Sequence, residues 1–161
     1  MQAEIRRSRS AARAPLLAAA ALLAVLANAD TGLEDLDAFP RASVEITSGE
    51  RVHRFDVWVA DTPERQAQGL MYVRDLDAGS GMLFVHAAPR EVSMWMKNTY
   101  IPLDMLFIDR GGRIVRIAHE TTPHSLDSIR SGTPVTRVLE IRGGEAARRG
   151  IAVGDRVRTR S

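Results

Sequence analysis

The stretch VEITSGERVHRFDVWV, residues 44–59, contains the pattern that decides the fold. Apolar and polar side chains alternate along it, which is the periodicity of a β-strand with one buried face. Ser48 and Gly49 interrupt the alternation where a short turn would join two strands. The stretch therefore predicts a β-hairpin. One face of its second strand would carry His53, Phe55, Val57 and Val59.

The chain after the hairpin continues as short strands separated by turns. A short helix is expected after Asp61, with Thr62 as its N-cap, Pro63 in its first turn and its end near Gly69. Residues 120–134 form a polar, turn-rich segment, which predicts a functional or mobile loop. Further strands are predicted over residues 81–85, 92–96, 105–108, 113–119, 136–141 and 155–159, and a second brief helix over residues 144–149.

About seven or eight short strands with two short helices indicate a mainly β fold, of the β-rich α+β kind. We expect a compact antiparallel sheet that is barrel-like or strongly coiled. Closure of such a sheet would also remove exposed strand edges.

The first 29 residues have the organisation of a cleavable signal peptide. An arginine-rich start precedes an apolar run over residues 14–27, and residues 27–29 read Ala-Asn-Ala, the small-x-small pattern that signal peptidase accepts. An uncleaved membrane anchor is the alternative, but the apolar run is shorter than the roughly 20 residues that span a bilayer. We therefore expect cleavage near Ala29 and a periplasmic or secreted protein with no stable membrane anchor.

The predicted mature chain divides into a flexible leader over residues 30–42 and a single β-rich domain over residues 43–161. The whole chain has 22 basic and 20 acidic side chains. Residues 1–29 hold four Arg and one Glu, so their removal leaves 18 basic and 19 acidic side chains, a balance of −1. This balance argues against nucleic acid as a partner. The chain has no cysteine, which excludes disulfides and a lipoprotein acyl chain.

The densest group of aromatic and polar residues lies between residues 94 and 104. Asn98 tolerates the left-handed conformation, so a turn is expected there. One interpretation is a well-made turn with Trp95 in the core. The other places Lys97, the only lysine of the chain, with Asn98 and Asp104 at the mouth of a pocket whose flat wall is Trp95.

Two further charged residues are candidates for the same site. Arg74 is free to hold a carboxylate, either that of Asp104 or one from a ligand. Glu140 lies between two apolar residues of a predicted strand, and a buried carboxylate needs a partner. Lys97, Arg137 and Arg113 are the partners available, and the ion pair would serve architecture more often than catalysis.

Three histidines form a weaker candidate for a metal site. The spacing of His119 and His124 is one residue too long for the zinc-protease helix motif, and Pro123 would break a helix there. A looser site of His86, His119 and His124 stays open, because histidine clusters bind zinc without a named motif. Neither a metal nor another cofactor is assigned from the sequence.

Several motifs follow one another in order: Gly69-Leu70-Met71, Arg74, Gly81-Met82-Leu83-Phe84, Trp95-Met96-Lys97-Asn98-Thr99, Ile101-Pro102-Leu103-Asp104, Phe107-Ile108-Asp109, Val138-Leu139-Glu140 and Gly154-Asp155. In order and spacing they resemble the domain of unknown function 192 (DUF192) family over about residues 44–159. The resemblance implies a compact β-rich domain of bacteria and archaea, often behind an export signal. It implies no established activity.

Three functions are compatible with these features. The first, which the sequence favours, is a non-catalytic module of the cell envelope that binds a small polar ligand or a protein partner. The second is a small envelope enzyme that uses Lys97 and Asp104 as acid/base or electrostatic groups. The third is a metal-dependent protein that uses the histidines. The enzyme requires Lys97 and Asp104 to lie close together, and the metal-dependent protein requires the three histidines to do so.

Overall fold

The predicted hairpin is present as strands β1 (Arg41–Ser48) and β2 (Arg51–Ala60), which pair antiparallel across a turn with Gly49 at a φ of 57°. The structure, a computed structural model, describes residues 33–160. The predicted signal peptide lies outside these residues. No helix among the described residues is long and apolar enough to cross a membrane.

The described residues contain nine strands and two short α-helices, which confirms the predicted mainly β class. A three-residue 3-10 helix, Leu36–Ala38, precedes β1. The remaining elements are α1 (Pro63–Gln68), β3 (Ser80–Arg90), β4 (Ser93–Met94), β5 (Leu103–Ile108), β6 (Ile114–Ala118), β7 (Ile129–Arg130), β8 (Val135–Arg142), α2 (Glu145–Arg149) and β9 (Arg156–Arg160).

Seven strands form one strongly curled sheet in the order β6-β5-β8-β3-β2-β1-β9, while β4 and β7 pair separately. Every pair in the large sheet is antiparallel except β2 and β3. These two are parallel because α1 and the loop after it return the chain to the same end of the sheet before β3 begins. The sheet is therefore antiparallel as expected, except for the one parallel pair of β2 and β3.

The two edges of the curled sheet approach each other at one end. Val157 donates its N–H to the carbonyl of Gly112 at 2.7 Å, and Ile114 donates to the carbonyl of Asp155 at 2.9 Å. These bonds join the start of β6 to the start of β9. Some of the backbone hydrogen-bonding groups of the two edge strands are therefore paired with one another. The sheet is thus barrel-like, as the sequence predicted.

Buried apolar side chains form two clusters on the two faces of the sheet. The inner core draws on all seven strands of the curled sheet, with Phe55, Leu106 and Leu139 among its members. The outer core packs on the opposite face, where Phe84, Met105 and Val138 lie beneath the connecting segments. Consecutive residues of one strand therefore belong to different cores, as the period of two requires.

The described part of the predicted flexible leader is held against the domain. Phe39 is buried in the outer core, with the guanidinium of Arg65 5.3 Å from the centre of its ring. Arg65 also donates two hydrogen bonds of 2.9 Å to the carboxylate of Glu34. The sheet itself begins at Arg41, which pairs with Trp58, rather than at Val44. Burial of Phe39, which the polar composition conceals, explains the difference.

The strand predicted over residues 92–96 is shorter than expected. Only Ser93 and Met94 are extended and paired, and their partners Ile129 and Arg130 lie in the segment predicted as a loop. The chain then turns away, because the N–H of Met96 donates to the carbonyl of Ser125. The departure of this segment from the sheet leaves space beneath it.

Candidate functional site

A cavity of about 80 Å³ lies between the end of α1 and the segment of residues 93–99. Its walls include the apolar side chains of Leu70, Met71 and Phe84, and its charged residues are Lys97 and Glu140. This volume accommodates a few water molecules or one small polar group. We refer to it as the Glu140 cavity.

The C-terminal end of α1 shapes one wall of the Glu140 cavity. Thr62 caps the N-terminus by accepting a hydrogen bond from the N–H of Arg65, and Pro63 stands in the first turn, as predicted. Gly69 ends the helix with φ 53° and ψ −139°, a conformation that glycine adopts far more readily than other residues. A Cβ at Gly69 would stand 3.2 Å from Cζ of Phe84, so glycine also permits this close approach.

The opposite wall is a tight turn that the sequence predicted at Asn98. Asn98 has a φ of 54°, and the N–H of Thr99 donates to the carbonyl of Met96 at 3.1 Å. The N–H of Tyr72 donates to the carbonyl of Asn98 at 2.8 Å, which ties the turn to the loop after α1. The side-chain amide of Asn98 lies 3.9 Å from the sulfur of Met71. Asn98 therefore fixes the rim through its backbone and contributes little polar surface to the cavity.

Glu140 is the buried acid of the site. It lies on β8, is 4% exposed and lines the cavity. Among the described residues it takes part in no salt bridge: Arg137 donates to the hydroxyl of Thr159 instead, and Arg113 donates to the carbonyl of Gly154. Burial raises the pKa of Glu140 to about 8, so the group is mostly neutral at pH 7.

The prediction that Glu140 forms a buried ion pair is therefore wrong. The sequence showed that the side chain would be buried, but not that its neighbours across β3 and β5 would be Met82 and Met105. With apolar side chains on both sides, the carboxyl avoids the cost of a buried charge by remaining protonated.

Lys97 and Trp95 lie together at the mouth of the cavity. Trp95 is 50% exposed rather than part of the core, and the ammonium of Lys97 is 5.2 Å from the centre of its ring. A cation over an indole ring is attracted by the negative face of the π-system. Lys97 has no carboxylate within salt-bridge distance among the described residues, and its exposed side chain borders the cavity.

Asp104 lies elsewhere and has a structural role. The residue is fully buried on β5 and does not line the Glu140 cavity. Its carboxylate accepts hydrogen bonds from three backbone N–H groups, those of Glu120 at 2.8 Å, Gly144 at 3.1 Å and Ala146 at 2.8 Å. These bonds fix the start of α2 against β5. Its predicted position at the pocket mouth beside Lys97 is therefore wrong.

Arg74 binds neither Asp104 nor any other carboxylate among the described residues. Its guanidinium lies 4.6 Å from the centre of the Tyr100 ring. Tyr100 also contacts Tyr72, with ring centres 6.0 Å apart, and His124, with ring centres 4.8 Å apart. Arg74 thus belongs to an exposed aromatic group beside the rim and is not a residue of the cavity wall.

The three candidate histidines are not gathered into a metal site. Among the described residues, no group of three or more His, Cys, Asp or Glu side chains has an arrangement that would hold a metal ion. His124 packs on Tyr100, and His86 lies on β3 with a buried Nε2 that has no hydrogen-bond partner within residues 33–160. Burial lowers the pKa of His86.

A second, more open recess of about 250 Å³ adjoins the first and is lined in part by Leu126 and Ser128. Ser93, Met94 and Trp95 border both. The sequence did not predict this recess, nor did it predict that Phe84 and Met71 would line the cavity. The one signal was Leu126, a lone large apolar residue in the polar loop, which is 69% exposed.

Comparison with known proteins identifies the family of this chain but assigns it no activity. Residues 44–159 match the model of the DUF192 family, whose description reads "Uncharacterized ACR". A crystal structure from Sinorhizobium meliloti 1021, described as a "putative transcription regulator", has 42% sequence identity and a TM-score of 0.74, over 75% of this chain and 95% of that chain. A protein of unknown function from Novosphingobium aromaticivorans DSM 12444 has 37% identity and a TM-score of 0.72, over 73% of this chain and 84% of that chain.

No curated protein matches the sequence. The matched residues run from β1 to β9 and contain both walls of the Glu140 cavity. The chain therefore belongs to the DUF192 family.

Proposed function

We propose that this protein is an exported, non-catalytic module of the cell envelope that binds a small polar ligand in the Glu140 cavity. The observation that carries the proposal is a buried acid, Glu140, which pairs with no basic side chain within residues 33–160 and lines a cavity with an exposed aromatic ring at its mouth. Sites for small ligands combine apolar walls with a few fixed polar groups in this way. A protein partner that inserts one polar side chain is the alternative occupant.

Most of the other polar side chains on the cavity wall are already bonded within the domain. Gln66 donates to the carbonyl of Val85 at 2.8 Å, and Gln68 donates to the carbonyl of Glu34 at 2.7 Å. Ser93 shares a 2.6 Å hydrogen bond with Ser128. The carboxyl of Glu140 and the ammonium of Lys97 are therefore the ionisable groups of the cavity wall that could recognise a ligand.

A regulator of transcription is not proposed, although one similar protein carries that description. The mature chain would have a charge balance of −1, whereas proteins that bind nucleic acid present a strong excess of basic side chains.

The ligand-binding role predicts that variants at the mouth weaken binding. We expect Trp95→Ala and Lys97→Ala each to lower affinity at least tenfold for a ligand found by thermal-shift screening of small polar compounds. The control is Arg158→Ala, which removes an exposed cation on β9, remote from the cavity wall. A ligand whose affinity is the same in all four proteins does not bind at this site.

An enzyme is the second candidate, with Glu140 rather than Asp104 as proton donor. The raised pKa of Glu140 favours it, since perturbed acids are frequent in active sites. Recovery of the ligand unchanged after long incubation supports the binding module. Conversion of the ligand by the wild type, lost in Glu140→Gln, supports the enzyme.

Export predicts a defined mature N-terminus. Expression of the full chain in a Gram-negative host is expected to give a periplasmic protein that begins at Asp30, as measured by mass spectrometry of the fractionated cells. Ala29→Arg, which removes the small residue before the cleavage position, should accumulate the precursor. A wild-type precursor left intact in the membrane fraction would support the uncleaved anchor instead.

A further inference from the structure

We propose that the ligand of the Glu140 cavity is a small zwitterion of the amino-acid class, with its ammonium group against Glu140 and its carboxylate against Lys97. This inference rests on the proposed ligand-binding function and adds the chemical class of the ligand. It follows from the position of an acid, Glu140, and a cation, Lys97, on the wall of one small cavity.

The inner part of the cavity is suited to an ammonium group. Glu140 is only 4% exposed and lines the cavity. Phe84 and Trp95 are aromatic, and Met71 and Met94 present sulfur-containing side chains to the same space. Aromatic faces attract ammonium ions, and a carboxylate pairs with them directly.

The mouth of the cavity is suited to a carboxylate. The ammonium of Lys97 is kept over the Trp95 ring at 5.2 Å, and none of the described carboxylates pairs with it. A simple amine would meet repulsion from Lys97 on entry, whereas a simple acid would gain nothing from Glu140. A ligand that carries both charges satisfies both groups.

The size of the site sets the length of the ligand. A volume of about 80 Å³ holds the amino-acid head group and little more. A side chain would extend along Trp95 into the adjoining recess of about 250 Å³, where Met94 and Leu126 offer apolar contact. The site therefore accommodates small to medium aliphatic side chains.

Binding of an ammonium group must ionise Glu140, which gives the inference a distinctive signature. The pKa of Glu140 is raised to about 8 by burial, so pairing at pH 7 releases close to one proton per ligand, ~0.9 by the fraction protonated. Affinity should rise about tenfold from pH 6 to pH 7 for the same reason. Lys97 is the other titratable group on the cavity wall, and Met82 and Met105 face Glu140 from the adjacent strands.

The test is isothermal titration calorimetry of the purified protein with glycine and L-alanine, with methylamine and acetate as the two half-ligands. Titrations at pH 7 in two buffers of different ionisation enthalpy measure the proton released. We expect the zwitterions to bind at least tenfold more tightly than either half-ligand and to release a proton. Glu140→Gln should abolish proton release, and Lys97→Ala should weaken the zwitterions while methylamine binds no worse.

Two results would overturn the inference: zwitterions that bind no more tightly than the half-ligands, or binding without proton release. Acetamide and glycerol, which are neutral, separate this failure from that of the proposed function. If they bind in a manner that depends on Trp95 while the zwitterions do not, the ligand-binding function stands and the ligand class is wrong. If no compound of the panel binds at millimolar concentration, the zwitterion is rejected and the thermal-shift screen decides the function. The affinity of the wild-type protein, measured from pH 6 to pH 7, tests the ionisation of Glu140 without any variant.

Discussion

Glu140→Gln is expected to stabilise the protein against unfolding at pH 8 and to change its stability little at pH 4.5. Burial raises the pKa of this carboxyl from 4.5 to about 8 in the folded state. Between these values the unfolded chain releases the proton while the folded chain retains it, so wild-type stability falls as the pH rises. Glutamine keeps the volume and cannot ionise.

The difference between the two proteins should therefore grow by about 4 kcal/mol between pH 4.5 and pH 8. The measurement is the free energy of unfolding from urea denaturation across this range. Other groups titrate there as well, since burial lowers the pKa of His86, but they are the same in both proteins and cancel in the comparison. A stability difference that does not depend on pH would contradict the buried, protonated state of Glu140.

Stabilisation by Glu140→Gln at pH 8 would also show that the carboxyl of Glu140 does not serve to stabilise the fold. A residue that weakens the fold at neutral pH persists where it serves another purpose, and ligand binding is the purpose that we propose. A ligand concentration that saturates the wild type should then reduce the stability advantage of Glu140→Gln, because tighter binding stabilises the wild-type folded state more than that of the variant.

Asp104→Asn is expected to lower the free energy of unfolding by about 3 kcal/mol, because the carboxylate accepts bonds from three backbone N–H groups. An amide presents one oxygen and one NH₂ group, so at least one N–H, such as that of Ala146, would face a donor. The residue is fully buried, and water cannot replace the lost acceptor. Urea denaturation measures the loss.

The matched control is Asp56→Asn, an exposed position on β2, which should change stability by less than about 0.5 kcal/mol. The folded Asp104→Asn protein should bind the cavity ligand with wild-type affinity, since Asp104 is not on the cavity wall. Loss of binding in a fully folded variant would restore Asp104 to the site.

The sequence predicted the elements better than their arrangement. Thr62, Pro63 and Gly69 act through local backbone rules, and their roles were correctly inferred from neighbouring residues. Asn98 adopts the expected left-handed conformation for the same reason. The hairpin of β1 and β2 was predicted because its pairing is local and its apolar period is clear.

The site was predicted less well, because its contacts join distant parts of the chain. Asp104 is bonded to Gly144 and Ala146, some 40 residues later, and no local pattern shows this. Glu140 was correctly expected to be buried, but its neighbours depend on the order of β3, β8 and β5 in the sheet. Trp95, Lys97 and Glu140 line one cavity, whereas Arg74, Asn98 and Asp104 do not.

Strand β8 has a consequence for how members of this family can diverge. Leu139 and Ile141 belong to the inner core. On the opposite face of the strand, Val138 belongs to the outer core and Glu140 lines the Glu140 cavity. Replacement of an outward residue leaves the packing of its inward neighbours untouched, since the two sets point in opposite directions. Substitutions at alternate positions of this one strand can therefore change the lining of the Glu140 cavity while the inner core keeps its packing.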